Sequence, residues 1–146
     1  MTTVNNCNIP SELYYLVEKH VWGRLEDDLV TVGLTDVAQN LAKGMLSVLP
    51  KTVGRKVAKG KSVATVESAK WVGPVPALVS GEIVEINQAV LADPKIINAD
   101  PYGEGWIAKM RPSDWDTESA DLHTGDEGVE AYRAFLDSEG IICGDE

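Results

Sequence analysis

Short runs of apolar and β-branched residues alternate with turn residues along most of the chain. In 82–87 apolar and polar side chains alternate cleanly, whereas in 61–67 the two faces differ little. Together with the flanking turn residues, this pattern predicts strands at 30–32, 45–49, 61–67, 82–87 and 106–110. Gly73, Pro74 and Pro76 interrupt the apolar stretch that follows the predicted strand at 61–67, because proline cannot donate a hydrogen bond to a strand ladder.

Two segments carry the signals of helices. Thr35 is a suitable N-cap for a short helix over 36–42. A longer helix is predicted over about 126–136, with Gly140 as its stop, because four side chains recur at helical spacing: Val129, Tyr132, Arg133 and Leu136. We expect this helix to cap the open end of a β domain.

The remaining segments have weaker local signals. Residues 13–21 fit either a short helix or the start of a strand, and we favour extended or mixed structure. The segments 93–94 and 100–105 and Asn98 are typical of loops, since they are rich in Asp, Asn, Pro and Gly. Residues 113–116 favour a short helical turn.

Length and composition fit one domain that spans residues 1–146. The 146 residues are 44% hydrophobic and 25% charged, a balance typical of a protein with a globular core. We predict a mainly β core over about 13–111 and a C-terminal helical segment over about 113–140. No apolar run approaches the roughly 18 residues of a membrane span, and the polar N-terminus lacks the features of a signal peptide.

Charge is unevenly distributed. The formal net charge is -10 and the pI is near 4.6, which argues against a nucleic-acid binder. Residues 37–66 contain six basic and no acidic side chains, whereas residues 112–146 contain eleven acidic side chains and one basic. We interpret these blocks as solvated faces; the alternative is that the basic segment flanks a docking surface.

The two cysteines, Cys7 and Cys143, lie at opposite ends of the chain, and no CxxC motif is present. His20 and His123 lack ligand spacing with either cysteine, so we predict no structural metal site. We expect both cysteines to be free thiols. A reducing, cytoplasmic setting follows as the default expectation.

The chain is poor in catalytic motifs. It has no GxGxxG, GxxxxGK[ST] or HExxH sequence, and no local nucleophile–base arrangement. Lys70 is conspicuous by position alone, because it lies between two β-rich stretches, where a turn would expose its amine on a flexible stem. The sequence pattern by itself favours an ordinary surface lysine.

Six collinear stretches between His20 and Tyr132 form a recognisable pattern. They include "TVGLTDVAQ" (31–39), "VESAK" (66–70) and "DPYGEGW" (100–106), with further matches at 20–22, 76–87 and 97–98. With these motifs the chain resembles the H-protein of the glycine cleavage system, a lipoyl-carrying member of the biotinyl/lipoyl domain family. Biotinyl domains usually place their lysine between methionines, and here the neighbours are Ala69 and Trp71.

The resemblance implies a cofactor carrier and not an enzyme. Lys70 would carry lipoate covalently, on the hairpin tip of a flattened β-barrel or sandwich with short flanking helices. Glu67, Ser68, Ala69 and Trp71 would serve recognition or contact with the lipoyl arm. The implied partners are the lipoate ligase or lipoyl synthase machinery and the enzymes that use the arm. Exchange between the cysteine thiols and the arm's dithiol is left open.

The chain also departs from glycine cleavage H-proteins. The acidic residues that are usual in the segment 41–54 are absent, and Lys43 and Lys51 appear instead. Residues 71–75 replace the run of small and polar residues that usually follows the lysine. In this respect the chain looks like the lipoate-binding proteins of the heterodisulfide-reductase-like sulfur oxidation system, where the arm carries sulfane sulfur on its way to sulfite. We therefore favour that pathway and its heterodisulfide-reductase-like complex. The alternatives are a glycine cleavage H-protein that carries aminomethyl and a non-lipoylated adaptor.

Overall fold

Two antiparallel β-sheets share one hydrophobic core in the computed structural model, which describes residues 2–144. Within this range the strands, numbered in chain order, are β1 (Thr3–Val4), β2 (Cys7–Asn8), β3 (Tyr14–Leu16), β4 (Val21–Glu26), β5 (Leu29–Leu34), β6 (Met45–Pro50), β7 (Lys56–Val57), β8 (Ser62–Ser68), β9 (Val72–Pro76), β10 (Gly81–Ile86), β11 (Ala108–Pro112) and β12 (His123–Thr124).

The larger sheet has seven strands in the order β12–β3–β4–β5–β11–β10–β7, and the smaller sheet has three in the order β6–β8–β9. Strands β1 and β2 form a separate N-terminal hairpin. In the described range the two main sheets share no hydrogen-bonded strand pair. The predicted mainly β fold is therefore confirmed, as a sandwich whose sheets do not close into a continuous barrel.

Five short α-helices and one 3-10 turn connect the strands. The 3-10 turn is Val17–Lys19, and the helices are α1 (Asp36–Ala42), α2 (Gln88–Ala92), α3 (Ile96–Ala99), α4 (Trp115–Glu118) and α5 (Gly125–Glu139). Within residues 2–144, every helix is too short or too polar to cross a bilayer.

Most local predictions are confirmed. Helix α1 has the predicted bounds, and the Thr35 side chain accepts a hydrogen bond from the amide of Ala38 at 3.2 Å, so Thr35 is the N-cap. Helix α5 ends at Gly140, whose φ of 66° suits the left-handed conformation that glycine readily adopts. Residues 13–21 combine extended and 3-10 structure, as expected.

Two local predictions are wrong. Pro74 and Pro76 do not interrupt β9, because β9 is the edge strand of the smaller sheet and pairs only with β8. Asn98 does not lie in a loop but in α3. The four residues of α3 are too few to show the periodicity by which a helix is recognised in a sequence.

Cys7 and Cys143 form a disulfide, which overturns the prediction of two free thiols. Their Cα atoms are 5.0 Å apart although 136 positions separate them in sequence. Asn5, in the turn of the N-terminal hairpin, strengthens the same junction, because its carbonyl accepts the amide of Cys143 at 2.9 Å. The argument for a reducing compartment from free cysteines is therefore lost, and cytoplasmic location stays a prediction.

A hydrogen-bonded network centred on Tyr132 joins α5 to the first helix. The Tyr132 hydroxyl lies 2.6 Å from Nδ1 of His20 and 2.9 Å from the hydroxyl of the N-cap Thr35. The His20 ring also stacks on Tyr132, with ring centroids 5.7 Å apart. Burial lowers the pKa of His20 to about 4, because the interior disfavours the charged imidazolium.

Reduction of the disulfide should destabilise the protein. The unfolded chain then regains the conformational entropy that a link between residues 136 positions apart takes from it. We expect a loss of about 2–4 kcal/mol and a fall in melting temperature of roughly 5–10 °C. Calorimetry with and without reductant measures this. The double variant Cys7→Ser/Cys143→Ser is the control, and its melting temperature should not respond to reductant. A wild-type melting temperature that ignores reductant would contradict the prediction.

Partly buried His20 should make stability depend on pH. The unfolded chain binds a proton at His20 below its ordinary pKa of roughly 6.5, whereas the folded protein resists until about pH 4. Stability should therefore fall between these values as the pH is lowered, by on the order of 2 kcal/mol. Urea unfolding at pH 7 and pH 4.5 measures it against His20→Gln, which cannot titrate. Carboxylates contribute equally to the pH dependence of the wild type and of His20→Gln. If the stability of the two proteins depends on pH to the same extent, the low pKa of His20 is refuted.

Candidate functional site

Lys70 lies at the exposed tip of the hairpin between β8 and β9. Ser68 closes this turn in three ways. Its amide donates to the carbonyl of Trp71 at 2.7 Å, its hydroxyl donates to the same carbonyl at 3.0 Å, and its Oγ accepts the Trp71 amide at 3.0 Å. The lysine amine therefore projects from a turn whose backbone is fixed.

The tip rests on the end of α1. The amide of Ala69 donates to the carbonyl of Gly44 at 2.9 Å, and the amide of Lys70 donates to the carbonyl of Ala42 at 3.3 Å. The last carbonyls of a helix have no partner within the helix, so they are available to accept such bonds. The end of α1 thus supports the backbone of the residue that carries the amine.

Asn98 holds the support in place from the other side. Its Oδ1 accepts the amide of Met45 at 2.9 Å, and its Nδ2 donates to the carbonyl of Lys43 at 2.8 Å. These two residues flank Gly44, whose carbonyl binds the tip. Sequence reasoning matched 97–98 to a family pattern but assigned Asn98 no role, because the two segments it bridges are more than fifty residues apart.

Trp71 has both a packed and an exposed part. Its indole lies across Gly73, where an added Cβ would collide with the ring unless the indole moved. The side chain nevertheless stays 40% exposed. Packing and contact with an arm or partner, the two roles considered for Trp71, are therefore compatible with each other.

A cleft of about 540 Å³ opens beside Lys70. Its apolar lining comes from α1, β5 and β9 and from the tip itself, and consists of Leu34, Ala38, Leu41, Ala42, Trp71, Pro74 and Pro76. Glu18, Lys19 and the neutral imidazole of His20 complete it. An apolar cleft of this size suits a hydrocarbon chain attached to the adjacent amine, so the residues present fit a lipoyl-lysine.

The predicted site residues fall into two groups. Lys70 and Trp71 lie together beside the cleft, whereas Glu67 lies on the solvent side of the smaller sheet and accepts a hydrogen bond from the hydroxyl of Ser47 at 3.3 Å. The hydroxyl of Ser68 is engaged inside the turn. Within residues 2–144 no group of three or more His, Cys, Asp or Glu side chains could hold a metal ion.

His20 is a cleft residue that sequence reasoning missed. The only available signal was its place in the 20–22 motif, which was matched to the family without a role. Its position in the cleft follows from the Tyr132 network, which depends on a helix more than a hundred residues away.

Comparison with known proteins agrees with this geometry. A solved structure described as a glycine cleavage system H protein from Mycobacterium marinum superposes with a TM-score of 0.75, at 32% identity, and covers 91% of this chain and 100% of its own. "Glycine cleavage system H protein 3" of Aquifex aeolicus is 50% identical over 141 residues, 94% of this chain and 88% of that protein.

"Probable glycine cleavage system H protein 2" of Saccharolobus solfataricus is 44% identical over 146 residues, 98% of each chain. The family model described as "Glycine cleavage H-protein" matches residues 13–135. The chain therefore belongs to the glycine cleavage H-protein family, whose members are not enzymes but carriers with lipoate covalently attached to a lysine.

Proposed function

We propose that this protein is the lipoyl carrier of a glycine cleavage system and that Lys70 bears the lipoyl group. The observation that carries the proposal is the exposed amine of Lys70, on a turn fixed by Ser68 and by the end of α1, in a chain of the H-protein family. The lipoyl dithiolane supplies the group-carrying and redox chemistry, which in glycine cleavage is the carriage of an aminomethyl group.

The chain itself supplies a mount, a resting place and recognition. The fixed turn holds the amine clear of the domain, and the apolar cleft beside it can shelter the arm from water between encounters. Glu67, Ala69 and Trp71 are exposed around Lys70, where a lipoate ligase or the lipoyl synthase machinery would read them. Ser68 acts through the shape of the turn, since its hydroxyl is engaged there.

The arm must travel between partners. By extended bond lengths, lysine with an attached lipoyl group reaches roughly 14 Å. A lipoylated Lys70 would therefore hold the carried group within reach of a channel in a partner enzyme while the domain stays outside. The partners in this proposal are the glycine cleavage enzymes, and the expected location is the cytoplasm.

Sulfur oxidation remains a second candidate on one observation. The segment 41–54 carries Lys43 and Lys51 where acidic residues are usual, and this is a reason to expect different partners. The names of the relatives refer to glycine cleavage, and they support that alternative better than the heterodisulfide-reductase-like pathway that the sequence favoured. A non-lipoylated adaptor has no specific observation in its favour.

Lys70→Arg should abolish lipoylation and leave the fold intact. The wild-type protein, incubated with a lipoate–protein ligase, should gain the mass of one lipoyl group, and Lys70→Arg should gain none. An exposed tip residue should change stability by about 0.5 kcal/mol or less. Intact-mass spectrometry and thermal melts measure both effects, with Lys61→Arg, another exposed lysine, as the control that stays lipoylated. A lipoylated Lys70→Arg protein would place the modification elsewhere.

A glycine decarboxylase exchange assay separates the two pathways. The lipoylated wild-type protein should support exchange at a rate comparable to that of an authentic H-protein, because the chemistry of the arm is the same. Only docking on the enzyme can differ, so the assay tests docking. Unlipoylated protein should be inactive. A fully lipoylated protein that fails to support exchange would overturn the glycine cleavage assignment and favour sulfur oxidation.

A further inference from the structure

Exposed apolar side chains are concentrated near the lysine tip. Of the eight large apolar side chains that are exposed within residues 2–144, six lie between positions 41 and 72: Leu41, Leu46, Leu49, Val53, Trp71 and Val72. The most exposed are Leu49 and Val72, at 66% and 65%. Contiguous exposed apolar surface is a mark of interaction sites, since water contact disfavours it.

The strand register brings two of these residues, Leu49 and Val72, to one surface. Across β6, β8 and β9, Ser47 aligns with Glu67 and Val72 in one row, and Leu49 aligns with Thr65 and Pro74 in the next. Side chains alternate between the two faces of a sheet, and Val48 and Val66 on the opposite face are buried in the core. We call the six residues of the two rows, together with Leu46, the outer face.

The outer face lies within a stretch of sequence whose charge is opposite to that of the rest of the chain. Besides Lys70, whose charge lipoylation would remove, residues 37–81 contain six basic side chains and one acidic, Glu67, whereas the remaining residues contain six basic and 22 acidic. Within residues 2–144 only Lys59 of these six forms an ion pair, with Asp121 at 2.6 Å. The outer face therefore exposes apolar side chains within a basic stretch of a strongly acidic protein, and Glu67 is the one charged side chain among its seven residues.

The outer face begins at the tip. Val72 is two positions from Lys70, and Glu67 is three positions from it on the other strand of the hairpin. An enzyme that accepts an arm of roughly 14 Å must approach the tip within that length. Such an enzyme covers roughly 800 Å² of its partner in an interface of ordinary size. The outer face offers it apolar surface within that reach, outside the cleft that fits the arm.

We propose that the outer face docks the enzymes that use the lipoyl arm, and that they contact it with an apolar patch bordered by acidic side chains. This inference rests on the proposed function and adds to it the chemistry of the partner surface. Complementary charge steers the encounter, and burial of Leu49 and its apolar neighbours holds the complex together.

The test compares lipoylated variants of the outer face with matched controls. The outer-face variants are Leu49→Ser and Lys51→Glu, the latter two positions further along the chain. They are assayed beside Leu25→Ser on β4 and Arg133→Glu on α5, which make the same kinds of change on other surfaces. Glycine decarboxylase exchange and dihydrolipoyl dehydrogenase turnover give KM and kcat for each carrier. We expect KM to rise about tenfold for the outer-face variants with kcat unchanged, and KM of the wild type to rise with salt.

Melting temperature and the extent of lipoylation show that each variant is folded and loaded. Unchanged KM in the outer-face variants, with an active wild type, would overturn the docking site and leave the carrier function standing. A dimer that Leu49→Ser dissociates, seen by analytical ultracentrifugation, would overturn it as well, because the occupant would be a second copy. A loaded wild type accepted by neither enzyme would overturn the glycine cleavage assignment and, with it, the docking of these two enzymes on the outer face.

Discussion

The position of the lysine tip depends on two backbone hydrogen bonds, from Ala69 to Gly44 and from Lys70 to Ala42. A two-stranded hairpin is a weak mount by itself, since its strands are stabilised only by each other and by one face. Here the acceptors are carbonyls at and just beyond the end of α1, so hydrogen bonds to the helix end hold the tip in place. Each contact that fixes α1 therefore also fixes the backbone of Lys70.

Contacts from distant parts of the chain converge on α1. Thr35 caps its start and binds Tyr132 of α5, the amide of Asp36 donates to the Tyr102 hydroxyl at 2.9 Å, and Asn40 accepts the amide of Gly144 at 2.8 Å. The disulfide holds the last of these segments against the N-terminal hairpin. Segments near both ends of the described chain thus stabilise the support of a site in its middle.

This arrangement explains what could be predicted from the sequence. Helix α1 was predicted to the residue, because its cap and its length are local signals, and the exposed turn at Lys70 followed from the strands on either side. The disulfide, the role of Asn98 and the cleft position of His20 could not be predicted. Each depends on contacts between segments about fifty or more residues apart, and a sequence pattern records only neighbours.

Sequence rules for single residues also failed where the position of a strand in its sheet altered the effect of the residue. Two prolines mark the end of a strand in most settings, but on the edge strand β9 their missing amides face away from the sheet and cost little. The same prolines border the cleft, where their rings contribute apolar surface without amide donors that would need water.

The uneven distribution of charge along the chain bears on which pathway the carrier serves. A lipoyl group has the same reach and chemistry on any carrier, so carriers of different pathways can be distinguished only by the surface around the tip. In this chain that surface exposes apolar side chains and belongs to a basic stretch of sequence, whereas the rest of the sequence is acidic. Basic and acidic surfaces repel different partners, and specificity that arises from such repulsion needs no change in the arm or its lysine.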